Sequence, residues 1–176
     1  MNLDLLRIYL NDHLMGSVAG MEMAKRARAE NEDNAVGEFL ATFLADIRED
    51  RETLKRVMGA LGFKQDALKQ GMAWMGEKLG RLKLNGQLMG YSPLSRVVEL
   101  ESLCLGTEGR LCLWRTLKGL ASQDARLGRF DFNVLIHRAE QHRSALERLR
   151  QKASDEAFRG SEEGSLLRLS PTREPG

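Results

Sequence analysis

Apolar residues recur at alternating steps of three and four along four stretches of the chain, the spacing that keeps one stripe of a helix against a neighbour. In the first stretch the stripe is Leu3, Leu6, Leu10, Leu14, Met21 and Ala24, interrupted by Ser17. In the second it is Val36, Leu40, Phe43, Ile47, Leu54, Val57 and Leu61, interrupted by Asp50. The last runs Phe132, Leu135, Ala139, Leu146 and Leu149, interrupted by His142. Between them, residues 94 to 117 are apolar nearly all round, from Leu94, Val97 and Val98 to Trp114 and Leu117, which predicts a largely buried helix. Asp50 and His142 are the conspicuous positions, because an unpaired polar side chain in a helix-facing seam costs several kcal/mol.

Boundary signals frame these stretches. Asn2 is a good N-cap for a helix to about Ala29, and the short polar run ENEDN at 30 to 34 folds a second helix, about 35 to 61 and closed by Gly62, straight back. Ser92-Pro93 opens a third helix to about Lys118, with Gly119 as its stop, and Asp131 caps a fourth to about Ala153. From Phe63 to Pro93 the connection is about thirty residues, far beyond an ordinary interhelical loop. Leu68, Met72, Met75, Leu79 and Leu82 repeat the three-four spacing there and predict a minor amphipathic helix before the Asn85-Gly86 turn. The expectation is all-α: residues 1 to 154 as a four-helix bundle of two antiparallel hairpins joined by a crossover, and 155 to 176 as a polar, disordered tail.

Composition narrows the class. The 176 residues, 42% hydrophobic and without a composition break, predict one domain with a real core. The 27 Lys+Arg and 25 Asp+Glu are interspersed, so no basic patch advertises nucleic acid or an anionic membrane surface. No apolar run approaches the roughly 18 residues of a membrane span, and MNLDLLRIYLNDH lacks the apolar region of a secretory signal, so the default is a soluble cytoplasmic protein. Cys104 and Cys112 stand eight residues apart on one predicted helix, too far to bridge each other, and read as core thiols in a reducing compartment.

Each predicted long helix carries a polar interruption near its middle. On the third helix the weak apolar maximum falls between the directions of Glu101 and Glu108, which turns these carboxylates inward and Glu99 and Arg110 elsewhere. Ser17, Asp50, Glu101 with Glu108, and His142 are therefore expected at similar depth, as one cluster. Carboxylates and an imidazole converging in a bundle are the donors that iron, manganese or zinc would use, giving Asp50, Glu101, Glu108 and His142 as the candidate metal ligands. A closed hydrogen-bonded network, with Asp50 accepting from His142 or Ser17, explains the same positions without a metal.

Other signals are weaker. Asp46, Glu49 and Glu52 alternate with Arg48, Arg51, Lys55 and Arg56 and read as a solvated face, and His13 and His137 as edge or surface residues. No arrangement supports nucleophilic catalysis, and Gly80 to Gly90 matches no phosphate-binding loop. Met72, Trp74, Met75 and Met89 offer adaptable apolar groups that pack on the bundle or cover a homodimer surface or a ligand channel.

The segment LNDHLMGSVAGMEM at 10 to 23, the run from Asp50 to Gly62, and the two hairpins with their crossover resemble the ferritin-like superfamily, over about residues 3 to 153, and most of all bacterial members that keep the bundle. The resemblance implies a Glu-x-x-His on the second helix of each hairpin and one glutamate from each of the other two. Here Asp50 stands at the second helix's histidine position and Ile47 at its glutamate position; His142 matches on the fourth helix, but Ala139 replaces the glutamate. Ser17 stands at the first helix's glutamate position, and the third keeps Glu101 or Glu108. The expectation is a non-catalytic binding or structural module with an eroded metal centre. The rival is a single-metal protein, a metal binder or an oxidoreductase, using Asp50, Glu101 or Glu108, and His142.

Overall fold

The computed structural model describes residues 1–64 and 91–159. All regular structure among them is helical: α1 (Leu3–Ala29), α2 (Ala35–Ala60), α3 (Pro93–Leu120) and α4 (Phe132–Phe158). The predicted minor helix, the Asn85-Gly86 turn and the tail beyond residue 159 lie outside the described residues.

Each start is set by a side chain that satisfies an orphan N–H of the first turn. Asn2 Oδ1 accepts from Leu5 N–H at 3.1 Å, and Asn34 Oδ1 from Val36 N–H at 2.9 Å. Ser92 and Ser95 form a reciprocal capping box ahead of Pro93, and Asp131 accepts from Asn133 and Val134. At the end of α2, Gly62 takes φ +78° and Phe63 N–H returns to the Met58 carbonyl at 2.9 Å, the left-handed closure that favours glycine.

Two boundaries differ from expectation. Gly119 does not stop α3, which continues to Leu120; a helical glycine costs only about 1 kcal/mol, and fully buried Leu127 anchors the loop that follows. At the other end, α4 runs to Phe158 rather than about Ala153, so residues 155 to 158 belong to it and not to a tail. Ala153 is buried, Ala157 packs on the core, and Arg96 Nη1 reaches Glu156 Oε2 at 3.1 Å.

Packing joins α1 to α2 and α3, and α4 to α3 and α2. The apolar core is in two parts. One gathers Leu6, Leu10 and Leu14 with Leu54 to Leu61, Leu111 to Leu117, and Phe132 to Ala139. The second gathers Ala24 and Ala27 with Val36 to Leu44, Val97 to Leu103, Leu146 and Ala153. Between them, every helix carries polar or glycine positions: Gly16, Ser17 and Gly20 on α1, Asp50 on α2, Gly106 to Arg110 on α3, and His142 on α4. This waist is where the chemistry collects.

The third helix is not buried all round. Its inner face is Val97, Leu100, Leu103, Thr107, Leu111, Trp114 and Leu117, while Leu94, Val98 and Leu105 are exposed, Leu105 by 75%. Cys104 is half-buried and Cys112 exposed, so Cys112 is not the core thiol that sequence suggested.

Candidate functional site

Asp50 and His142 are buried as their seams require, at 2% and 7% exposure. What faces Asp50 is arginine. Arg110 Nη1 lies 3.1 Å from Asp50 Oδ2 and Arg138 Nη1 lies 3.2 Å from Asp50 Oδ1. Both approaches are ion-pair distances without aligned hydrogen bonds. His142 is held on both ring nitrogens, 2.8 Å from Arg110 Nη2 at Nδ1 and 2.9 Å from Asp46 Oδ2 at Nε2.

A guanidinium can only donate, so Nδ1 is the bare acceptor and Nε2–H donates to Asp46. That fixes a neutral imidazole, and the electrostatics agree: burial, then the Arg110 charge, push the His142 pKa down, against the pull of Asp46. Burial also pushes Asp50 up to about 6, outweighing Arg110 and Arg138. Desolvation lowers the pKa of Arg110, with Asp50 opposing. The Phe43 ring lies beneath Arg110, 5.5 Å from Cζ, and meets the His142 ring edge-on at 4.9 Å. Arg138 closes the chain outward, 2.8 Å from Glu49 Oε2.

The predicted cluster is therefore only partly assembled. Asp50 and His142 share Arg110, but Glu101 and Glu108 are not turned inward. Their side chains are 51% and 45% exposed, Glu101 3.7 Å from Arg150 and Glu108 3.0 Å from Arg143. The outward residues Leu94, Val98 and Leu105 pulled the apolar maximum of α3 away from its buried face. Ser17 is half-buried, and its Oγ donates to the Leu14 carbonyl at 2.6 Å rather than to Asp50.

Two residues expected to point elsewhere are inside. Arg110 is one, its side chain 13% exposed. Leu100, Leu103, Thr107, Arg110, Trp114 and Leu117 form an unbroken three-four seam, so the periodicity carried the signal. Glu99 is the second, 8% exposed; its carboxylate takes Arg26 Nε at 2.8 Å and the Tyr91 hydroxyl at 3.2 Å. Asn31 extends this network, donating to Tyr91 Oη and to the Ala27 carbonyl, each at 2.7 Å. Asp46 is not simply solvated either, since it orients His142.

No group of three or more His, Cys, Asp or Glu among the described residues is placed to hold a metal ion. The donors at Asp50 do not fit one: a cation there would stand against Arg110 and Arg138, and a metal on His142 would have to displace Arg110 or Asp46. Beside the network, α1, α2 and α3 wall a cavity of about 350 Å³, with Asp50, Arg110 and Trp114 in its lining.

No helix among the described residues is long and apolar enough to cross a membrane. The chain matches no family model, and no curated protein sequence or solved structure matches it.

Proposed function

We propose that this protein is a non-catalytic binding module on a ferritin-like bundle, with an arginine-centred charge network where a metal centre would stand. The observation that carries the reading is the surroundings of Asp50. Both of its carboxylate oxygens face guanidinium nitrogens, at 3.1 and 3.2 Å, and both nitrogens of His142 are engaged. Such a constellation holds an arginine firmly and, among the described residues, offers no ligand set for iron, manganese or zinc.

The distribution of the two core clusters supports the ferritin-like part. The first half of α1 packs with the last half of α2 and α3 and the first half of α4. Two antiparallel hairpins, with α1 beside α3 and α4 beside α2, produce that pattern.

Elemental analysis of protein grown with added iron, manganese or zinc tests the reading. The expected content is below about a tenth of an equivalent, unchanged in Asp50→Ala and His142→Ala. Near-stoichiometric metal lost in both variants would establish the single-metal alternative.

A further inference from the structure

We propose that the cavity at the waist of the bundle binds a small apolar molecule that ends in a carboxylate. The described residues give it a volume of about 350 Å³, within the range of roughly 300–1,000 Å³ common to ligand pockets. Its walls are mainly hydrocarbon and aromatic, with Tyr9, Phe43, Ile47, Leu54, Leu113 and Trp114 contributing.

The room comes from glycine. Gly16 and Gly20 on α1 and Gly106 and Gly109 on α3 line the cavity, and a Cβ built on any of them meets none of the described residues within 4 Å. A glycine inside a helix costs about 0.5–1 kcal/mol relative to alanine. Among the described residues no close helix contact explains these four, unlike Gly37, where a Cβ would run into the Asn31 carbonyl. Their effect is to keep space open.

Four of the residues that line this space carry buried polar atoms without hydrogen-bond partners, and these favour one kind of head group. Among the described residues, eight buried side-chain nitrogen or oxygen atoms lack a hydrogen-bond partner, and six belong to four residues lining this cavity. They are both oxygens of Asp50, Nε and Nη1 of Arg110, Nε of Arg51 and Nε1 of Trp114. The ion pairs of Asp50 with Arg110 and Arg138 account for the oxygens and for Nη1. What remains are three N–H donors, two of them on cations. An anionic acceptor answers such donors most strongly, and a carboxylate suits a guanidinium best. Of the two carboxylates in the lining, Asp50 already faces Arg110 and Arg138 and Asp12 is exposed, so an amine would have to enter beside Arg51 and Arg110.

The test uses the full chain with Trp74→Phe, which leaves Trp114 as the one tryptophan, and follows its emission during titration with octanoate, octan-1-ol and octylamine. Octanoate is expected to saturate with Kd below about 1 mM and at least about tenfold tighter than the other two. Gly20→Leu with Gly106→Leu should weaken octanoate at least about tenfold without lowering the unfolding midpoint of the free protein. Arg51→Met should abolish the preference for octanoate over octanol, which keeps the proposal testable if the filled variant does not fold. No saturable response to octanoate, equal or tighter binding of octylamine, or unchanged binding in the filled variant would overturn it. The inference rests on reading the chain as a binding module, and metal content is measured on separate samples, so either can fail alone.

Discussion

Arg110 Nη1 stands 3.1 Å from Asp50 Oδ2 at the waist of the bundle, with the two side chains 13% and 2% exposed. Burying either charge alone is prohibitive, so each is the condition for the other. Arg110→Met should cost about 3–5 kcal/mol, because among the described residues it leaves Asp50 paired with Arg138 alone. Adding Asp50→Leu should recover most of that loss, since the pair is then replaced by apolar groups. Urea unfolding of the two single variants and the double variant measures this. A cost below about 1 kcal/mol for Arg110→Met would contradict a buried pair.

How much of this was legible depends on what the pattern could register. Asp50 and His142 stand in seams whose apolar members leave no doubt about direction, and both are buried. The helix starts were equally readable, because Asn2, Ser92 and Asp131 act locally on the N–H groups beside them. On α3 two stripes compete: Leu94, Val98 and Leu105 face outward and Leu100, Leu103 and Trp114 inward. Averaging them misplaced Glu101 and Glu108 and hid Arg110 and Glu99. Arg110 is buried because Asp50 and His142 supply partners on other helices, a tertiary fact that composition cannot contain.

The tautomer of His142 is a direct consequence of Arg110. With Nδ1 accepting from Arg110 and Nε2–H donating to Asp46, nitrogen-detected NMR at pH 7 should show a neutral ring protonated at Nε2. In Arg110→Met the Nδ1 partner is gone, and the His142 pKa should rise because the second-largest force lowering it is removed. Observation of an Nδ1–H tautomer in the unaltered protein would refute the geometry.

Acid dependence should report Asp50 and His142 with opposite signs. Asp50 has a folded pKa of about 6 against 3.8 when unfolded, so the folded state binds the extra proton and its contribution to stability falls as pH rises from about 4 to 6. His142 is lowered below 6.5, so the unfolded state binds more protons and its contribution is lost as pH falls through that value. In Asp50→Asn the compensating acid is absent. That variant should lose more stability than the parent between pH 7 and 5, by roughly 1–1.5 kcal/mol, in denaturant titrations at each pH. Parallel profiles for the two proteins would rule out a raised Asp50 pKa.

Two glycines of α2 should behave oppositely. At Gly37 a methyl group would overlap the carbonyl of Asn31, a residue 1% exposed and fixed by hydrogen bonds to Ala27 and Tyr91. Neither the backbone at that corner nor Asn31 can give way cheaply, so Gly37→Ala should destabilise by about 2 kcal/mol or more. At Gly59, the penultimate residue of the same helix, the added carbon meets none of the described residues within 4 Å. Gly59→Ala should instead stabilise by about 0.5–1 kcal/mol through helix propensity and the narrower unfolded ensemble. Thermal unfolding of the two variants side by side distinguishes a glycine that the α1–α2 corner requires from one that the helix merely tolerates, and equal midpoints would show that this corner is looser than its hydrogen bonds imply.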